Sequence, residues 1–84
     1  MKIVVRYNED FDTYDIIEVV NREEIVKELE KLGVNKVVAG EVLEAYLDEL
    51  RGEATVFQSE LLGRQPPEAI NFLCSITEKV EKLG

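Results

Sequence analysis

The sequence predicts an α+β domain in which an N-terminal β-hairpin is followed by three or four helices packed on its sheet. Two runs rich in β-branched residues, KIVVRY at 2–7 and TYDIIEVV at 13–20, flank a polar acidic turn, which is the pattern of a hairpin. Two apolar stripes at helical spacing come next, each closed by a glycine. GRQPP at 63–67 then ends one element and opens a last helix. No internal repeat or linker divides the 84 residues. The chain therefore reads as one domain, 1–84, with the hairpin at 1–20 and the helical part at 21–84.

Both strands are apolar at consecutive positions, Ile3-Val4-Val5 in the first and Ile16-Ile17 then Val19-Val20 in the second. A sheet with one wet face should alternate, so this pattern predicts a sheet covered on both faces. Helices of the same chain cover one face, and a second subunit is the natural cover for the other. A domain this small buries only about 60% of its unfolded surface, which adds to the expectation of a homodimer, through the free sheet face or through the second helix.

The first helix is expected at 22–32, with Asn21 as N-cap, Glu24 completing a capping box, and Val20 and Ile25 forming a hydrophobic staple. Gly33 closes it, with Val34 folding back on Leu29 in a Schellman ending. Its apolar stripe is Ile25, Val26, Leu29 and Leu32. The second stripe runs Val38, Val42, Leu43, Tyr46, Leu47, Leu50, capped by Asn35 and stopped at Gly52, with Glu41, Glu44 and Asp48 on the opposite face. Residues 53–62 suit a third helix on Val56, Phe57, Leu61 and Leu62, with a short strand at 54–57 as the alternative. The last helix, about 67–82, carries Ile70, Leu73, Cys74, Thr77 and Val80 on one stripe. Cys74 is accordingly expected in the core as a small hydrophobe.

The net charge of −8 is concentrated in two zones. Residues 7–21 hold five acids and no base, and residues 37–63 hold six acids against Arg51 alone. Direct binding to a phosphate backbone is therefore not expected. Helix one, the Gly33 turn and helix two have the lengths of a helix-turn-helix, but Glu41, Glu44, Asp48 and Glu49 would face the DNA phosphates and repel them. No apolar run is long enough for a signal segment or a membrane span, and the one cysteine forms no internal disulfide, so a cytoplasmic setting is expected. Fourteen of the eighteen acids are Glu, a bias compatible with a thermophilic source.

The densest acidic stretch, Asn8 to Asp15, places four carboxylates in eight residues. It is not an EF-hand loop: counting from Asn8 puts Thr13 at the glycine position and Val19 where the bidentate Glu belongs, and counting from Asp10 also fails. No metal or cofactor is expected. Without a histidine, Ser-His-Asp and Cys-His arrangements and His-based zinc sites are excluded, and no phosphate loop or dinucleotide glycine fingerprint occurs. Eighteen acids make carboxylate pairs inevitable by chance, so such pairs do not argue for catalysis.

The sequence thus predicts a non-enzymatic module that binds a protein partner. The expected partner-binding residues are Glu9, Asp10, Phe11, Asp12, Tyr14 and Asp15 in the loop, with Glu41, Glu44, Tyr46 and Asp48 on the second helix. Phe11, Tyr14 and Tyr46 are the anchors, and the carboxylates set orientation and on-rate. The alternative is an acidic inhibitor, of the kind viruses and mobile elements encode, that mimics nucleic acid in the groove of a nucleic-acid-binding protein.

Overall fold

A computed structural model of the protein describes residues 1–81. Its elements are β1 (Lys2–Asn8), β2 (Thr13–Val20), α1 (Arg22–Lys31), α2 (Ala39–Arg51), α3 (Val56–Gly63), α4 (Pro67–Ser75) and β3 (Thr77–Val80). The fold is α+β, with one strand more than the sequence predicts. The sheet order is β2-β1-β3; β1 and β2 form the antiparallel hairpin, while β3 pairs parallel to β1 from Ile3↔Thr77 to Arg6↔Val80. A parallel neighbour requires a crossover, and here all four helices lie within it.

The spacing Ile70, Leu73, Thr77, Val80 imitates a helical stripe, which is why the last helix is expected to run on to about residue 82; position 82 lies outside the described residues. The helix instead stops at Ser75. The Ile3 amide donates to the Ile76 carbonyl at 2.8 Å, and the backbone beyond it joins the free edge of β1. α4 buries Ala69 and Leu73 and leaves Cys74 exposed. The core position expected for Cys74 is thus corrected: the buried stripe contains Ala69, and a residue one step past Leu73 is turned about 100° around the helix.

In β1, Ile3 and Val5 are fully buried whereas Lys2, Val4 and Arg6 retain exposure. The helices pack on the Ile3–Val5 face, and among the described residues nothing covers the other. Within one chain the sheet is thus covered on a single face, and part of the consecutive apolar pattern has a local reason. Val4 pairs with Glu18 and Val5 with Ile16, so Ile17 is the extra residue of a β-bulge. A bulge breaks the alternation, which accounts for the adjacent apolar pair Ile16-Ile17. The open face carries the ion pairs Lys2–Glu78 at 3.9 Å and Arg6–Asp15 at 3.7 Å.

Ile25, Leu29, Val42, Leu43, Leu47 and Leu73 complete the core over the sheet. Both expected glycine stops hold. Val34 N–H donates to Leu29 and Gly33 N–H to Glu30, while Glu53 N–H donates to Asp48 and Gly52 N–H to Glu49, the paired bonds of two Schellman endings. The start of α1 differs from expectation: Asn21 is left-handed at φ 59° and its side chain makes no capping bond. The tight exit from β2 imposes that conformation, which Asn tolerates better than most residues, and it is incompatible with the extended backbone an N-cap needs. The chain's capping box lies elsewhere, at the start of α3. Gln58 N–H donates to Thr55 Oγ1 at 3.1 Å and Thr55 N–H to Gln58 Oε1 at 2.8 Å.

Candidate functional site

The turn at 9–12 is shaped by its own polar groups. Asn8 Oδ1 accepts from the Asp10 amide at 3.0 Å, an Asx turn, and Asp12 is left-handed at φ 53°. The Tyr7 hydroxyl donates to Asp12 Oδ1, and this bond to a carboxylate raises the Tyr7 pKa above its ordinary value. Tyr7 meets Tyr14 edge-on with ring centroids 5.6 Å apart. Lys79 Nζ of β3 sits 5.2 Å from the Tyr14 centroid, within cation–π range. Within this held turn, Phe11 is 75% exposed.

An open groove of about 680 Å³ separates the loop from the C-terminal end of α2. Phe11, Tyr14 and Ile16 line it on the hairpin side, with Asp15, and Arg51 and Glu53 face them across it. The fold therefore brings parts of both acidic zones to one place, with Arg51 in the lining. Arg51 was not among the sequence-predicted site residues, because a lone base in an acidic segment reads as a local ion-pair partner.

Of the expected α2 residues, Glu41 and Glu44 are exposed and Asp48 is half-buried. Several candidate carboxylates have internal partners. Asp15 pairs with Arg6 at 3.7 Å, Glu44 with Arg22, and Asp48 with Arg51 at 2.9 Å. Asp48 also accepts from Gln58 Nε2 at 2.7 Å; that bond first, and Arg51 with it, holds the Asp48 carboxyl below its usual range. Glu9, Asp10 and Glu41 have no cationic partner among the described residues. No three acids or thiols among those residues converge where a metal could be held, and no helix there is long and apolar enough to cross a membrane.

Tyr46 is not presented at the surface as the anchor reading expects. Its side chain lies in the core, with the residue only 9% exposed, and its hydroxyl is 2.7 Å from Thr77 Oγ1. Thr77 Oγ1 in turn donates to the Leu73 carbonyl at 2.7 Å. The threonine proton is thus committed, so Tyr46 is the donor. Burial pushes the Tyr46 pKa up to about 12. An unfolded tyrosine ionises near 10, so this raised group contributes stability that is complete below about pH 10 and lost as pH rises through about 12. Tyr46→Phe is expected to cost about 1 kcal/mol at neutral pH. In thermal melts from pH 9 to 12, wild type should converge on Tyr46→Phe as the pH rises; a constant gap would show that the phenol is not held neutral by the fold.

Against models of protein families, curated proteins and solved structures, the chain matches none. The site is read from its own geometry.

One surface escaped the sequence reading. Val56 and Phe57, expected on the inward stripe of the third helix, are 73% and 83% exposed. The capping box explains the reversal. Gln58 bonds both Thr55 and Asp48, which leaves the first turn of α3 facing outward while Leu61 and Leu62 further on pack against the core. The signal Thr55-x-x-Gln58 was present in the sequence.

Proposed function

We propose that this protein is a non-enzymatic binding module that docks a protein partner through the hairpin loop, the groove beside it and the acidic stripe of α2. The observation that supports this best is Phe11, whose ring stands 75% exposed in a turn fixed by hydrogen bonds. A large apolar side chain presented to water by a preorganised loop has the properties of an interface anchor, because little ordering entropy remains to be lost on docking. Glu9 and Asp10 beside it favour a basic partner surface and speed encounter. Tyr14 and Ile16 in the groove wall supply apolar area for the partner.

A nucleic-acid mimic would instead present free carboxylates in rows. Asp15, Glu44 and Asp48 are paired with arginines and Asp12 is bonded to Tyr7, which favours the protein-binding reading. A second copy fits the open sheet face, where Lys2–Glu78 and Arg6–Asp15 balance locally beside the exposed Ile17 and Val80. Two chains of charge −8 meet there with the least repulsion. In sedimentation equilibrium the dimer should fall to monomer on Ile17→Lys, and a wild-type monomer throughout would remove the dimer from the proposal.

The test is affinity capture from a native-host lysate, eluted by a salt gradient and identified by mass spectrometry. Wild type should retain a partner with a basic surface that leaves at moderate salt and is not displaced by duplex DNA. Converting Glu9, Asp10, Asp12 and Asp15 to amides should weaken that association roughly tenfold near 0.1 M salt and flatten its salt dependence. Unchanged retention would remove the loop from the account. Displacement by DNA would turn the reading to the mimic.

A further inference from the structure

We infer that the groove between α2 and α3 is a second docking site and that it takes a basic amphipathic helix of a partner protein. It shares Glu41 and Glu44 of the α2 stripe with the proposed function and differs from it in Gly40, Phe57 and Leu61, so a Phe11→Ser variant tells the two apart. α3 buries no residue, and Val56 and Phe57 in its first turn are 73% and 83% exposed. Elsewhere a short helix with such exposure would be expected to fray. This one is held on α2 by its capping box, by Gln58 Nε2 to Asp48 at 2.7 Å and by Ser59 Oγ to Glu49 at 3.1 Å. These polar bonds, with Leu61 and Leu62 packed against the core, hold the helix while its apolar first turn is left to the solvent.

The groove beside that turn has a volume of about 360 Å³, with Phe57 and Leu61 on one wall and Glu41 and Glu44 on the other. Phe57 and Leu61 are one turn apart, the spacing at which a docked helix presents its own apolar residues. Gly40 also lines the groove. A Cβ built there would meet nothing within 4 Å, so an incoming side chain has an open approach to the α2 backbone. A channel between two helices suits the ridge of a third.

Charge selects the occupant. The segment 37–63, which contains α2 and α3, holds six acids and one base. A second copy would set two such surfaces against each other, and an anionic membrane would be repelled as well. A helix with leucine-like residues on one face and Lys or Arg flanking them places its apolar face on Phe57 and Leu61 and its cations against Glu41, which has no cationic partner among the described residues, beside Glu44, which is paired with Arg22.

The experiment is fluorescence anisotropy with a labelled leucine–lysine peptide of helical periodicity, near 0.15 M salt, against a scrambled peptide of the same composition. The amphipathic peptide should bind roughly tenfold or more tightly than the scramble. Phe57→Ser and Gly40→Gln should each weaken binding by a similar factor without lowering the thermal midpoint, since Phe57 is exposed, the space over Gly40 is open and Gln is the better helix former. Glu41→Lys should weaken it and reduce its salt dependence, while Phe11→Ser leaves it unchanged. Equal binding of the scramble, or indifference to Phe57→Ser, would overturn the inference by reducing the effect to charge. Loss on Phe11→Ser in place of Phe57→Ser would move the peptide to the hairpin, and self-association abolished by Phe57→Ser would give the groove to a second copy; either outcome also overturns it.

Discussion

Gly52→Val is expected to destabilise the protein by about 3 kcal/mol, and Gly52→Ala by about 2 kcal/mol, in denaturant unfolding. Two costs combine. Gly52 has φ 74° at the end of α2, a conformation that costs other residues on the order of 1 kcal/mol and β-branched ones more. A Cβ there would lie 2.5 Å from Thr13 Cγ2, well inside the 3.5–4.0 Å of a favourable carbon contact. Thr13 begins β2, and its backbone pairs with Asn8. Relief of the clash must therefore either push the hairpin off the end of α2 or unwind the Schellman bonds at Gly52 and Glu53. A double-mutant cycle separates the costs: Thr13→Ser removes the methyl, so in that background Gly52→Ala should retain only the backbone cost. If Gly52→Ala is as costly in the Thr13→Ser background as in wild type, the close approach does not contribute. Because Gly52 and Thr13 both border the hairpin groove, the same variants should also weaken partner capture.

Local signals made much of this fold legible. The hairpin was readable from β-branched runs on either side of a turn, and α1 and α2 from stripes whose buried members are Ile25 and Leu29 in one and Val42, Leu43, Tyr46 and Leu47 in the other. Gly33 and Gly52 were readable as stops because a left-handed residue after a helix is a backbone requirement that few side chains meet. The features that escaped depend on distant partners. β3 exists because β1 has a free edge, and TEKV has no strong strand pattern of its own. Asn21 resembles a cap in sequence, but the exit angle from β2 decides its conformation. The Ile17 bulge is a register choice between strands and leaves no mark in either strand alone.

The candidate site divides in the same way. The loop carboxylates, Phe11 and Tyr14 were identifiable by type and density. The pairing of acids across elements was not, because Arg6 of β1 reaches Asp15 of β2 and Arg22 at the start of α1 reaches Glu44 of α2. Tyr46 shows the limit of periodicity. It shares a stripe with core residues, and an aromatic on such a stripe serves equally as core or as edge anchor; only Thr77, brought in by the unforeseen strand, settles it as a buried donor. Phe57 shows the converse, an apolar residue turned outward by a polar tie that only the tertiary arrangement reveals.

Leu47→Ala should cost about 3–4 kcal/mol, whereas Leu50→Ala, one turn further on the same stripe, should cost about half as much. Leu47 is fully buried, while Leu50 is half-buried at the edge of the core. Truncating Leu47 removes its buried methyl groups from their apolar surroundings and leaves a cavity beneath α2. Neighbours cannot readily fill that cavity, since Leu43 is held in the same helix and Ile3 and Val5 are fixed by strand pairing on both sides of β1. At Leu50 water can enter the space vacated, so the cavity contribution largely disappears. A domain of 84 residues has a total stability on the order of 4–13 kcal/mol. Leu47→Ala therefore uses a large part of it, and its urea transition should begin at the lowest denaturant concentrations. Equal costs for the two variants would place the centre of the core toward the C-terminal end of α2, beneath the hairpin groove, and would make the groove wall part of the folding core. The predicted inequality leaves that wall outside it. Residues such as Phe11 and Asp15 can then be replaced to test binding without a large loss of stability.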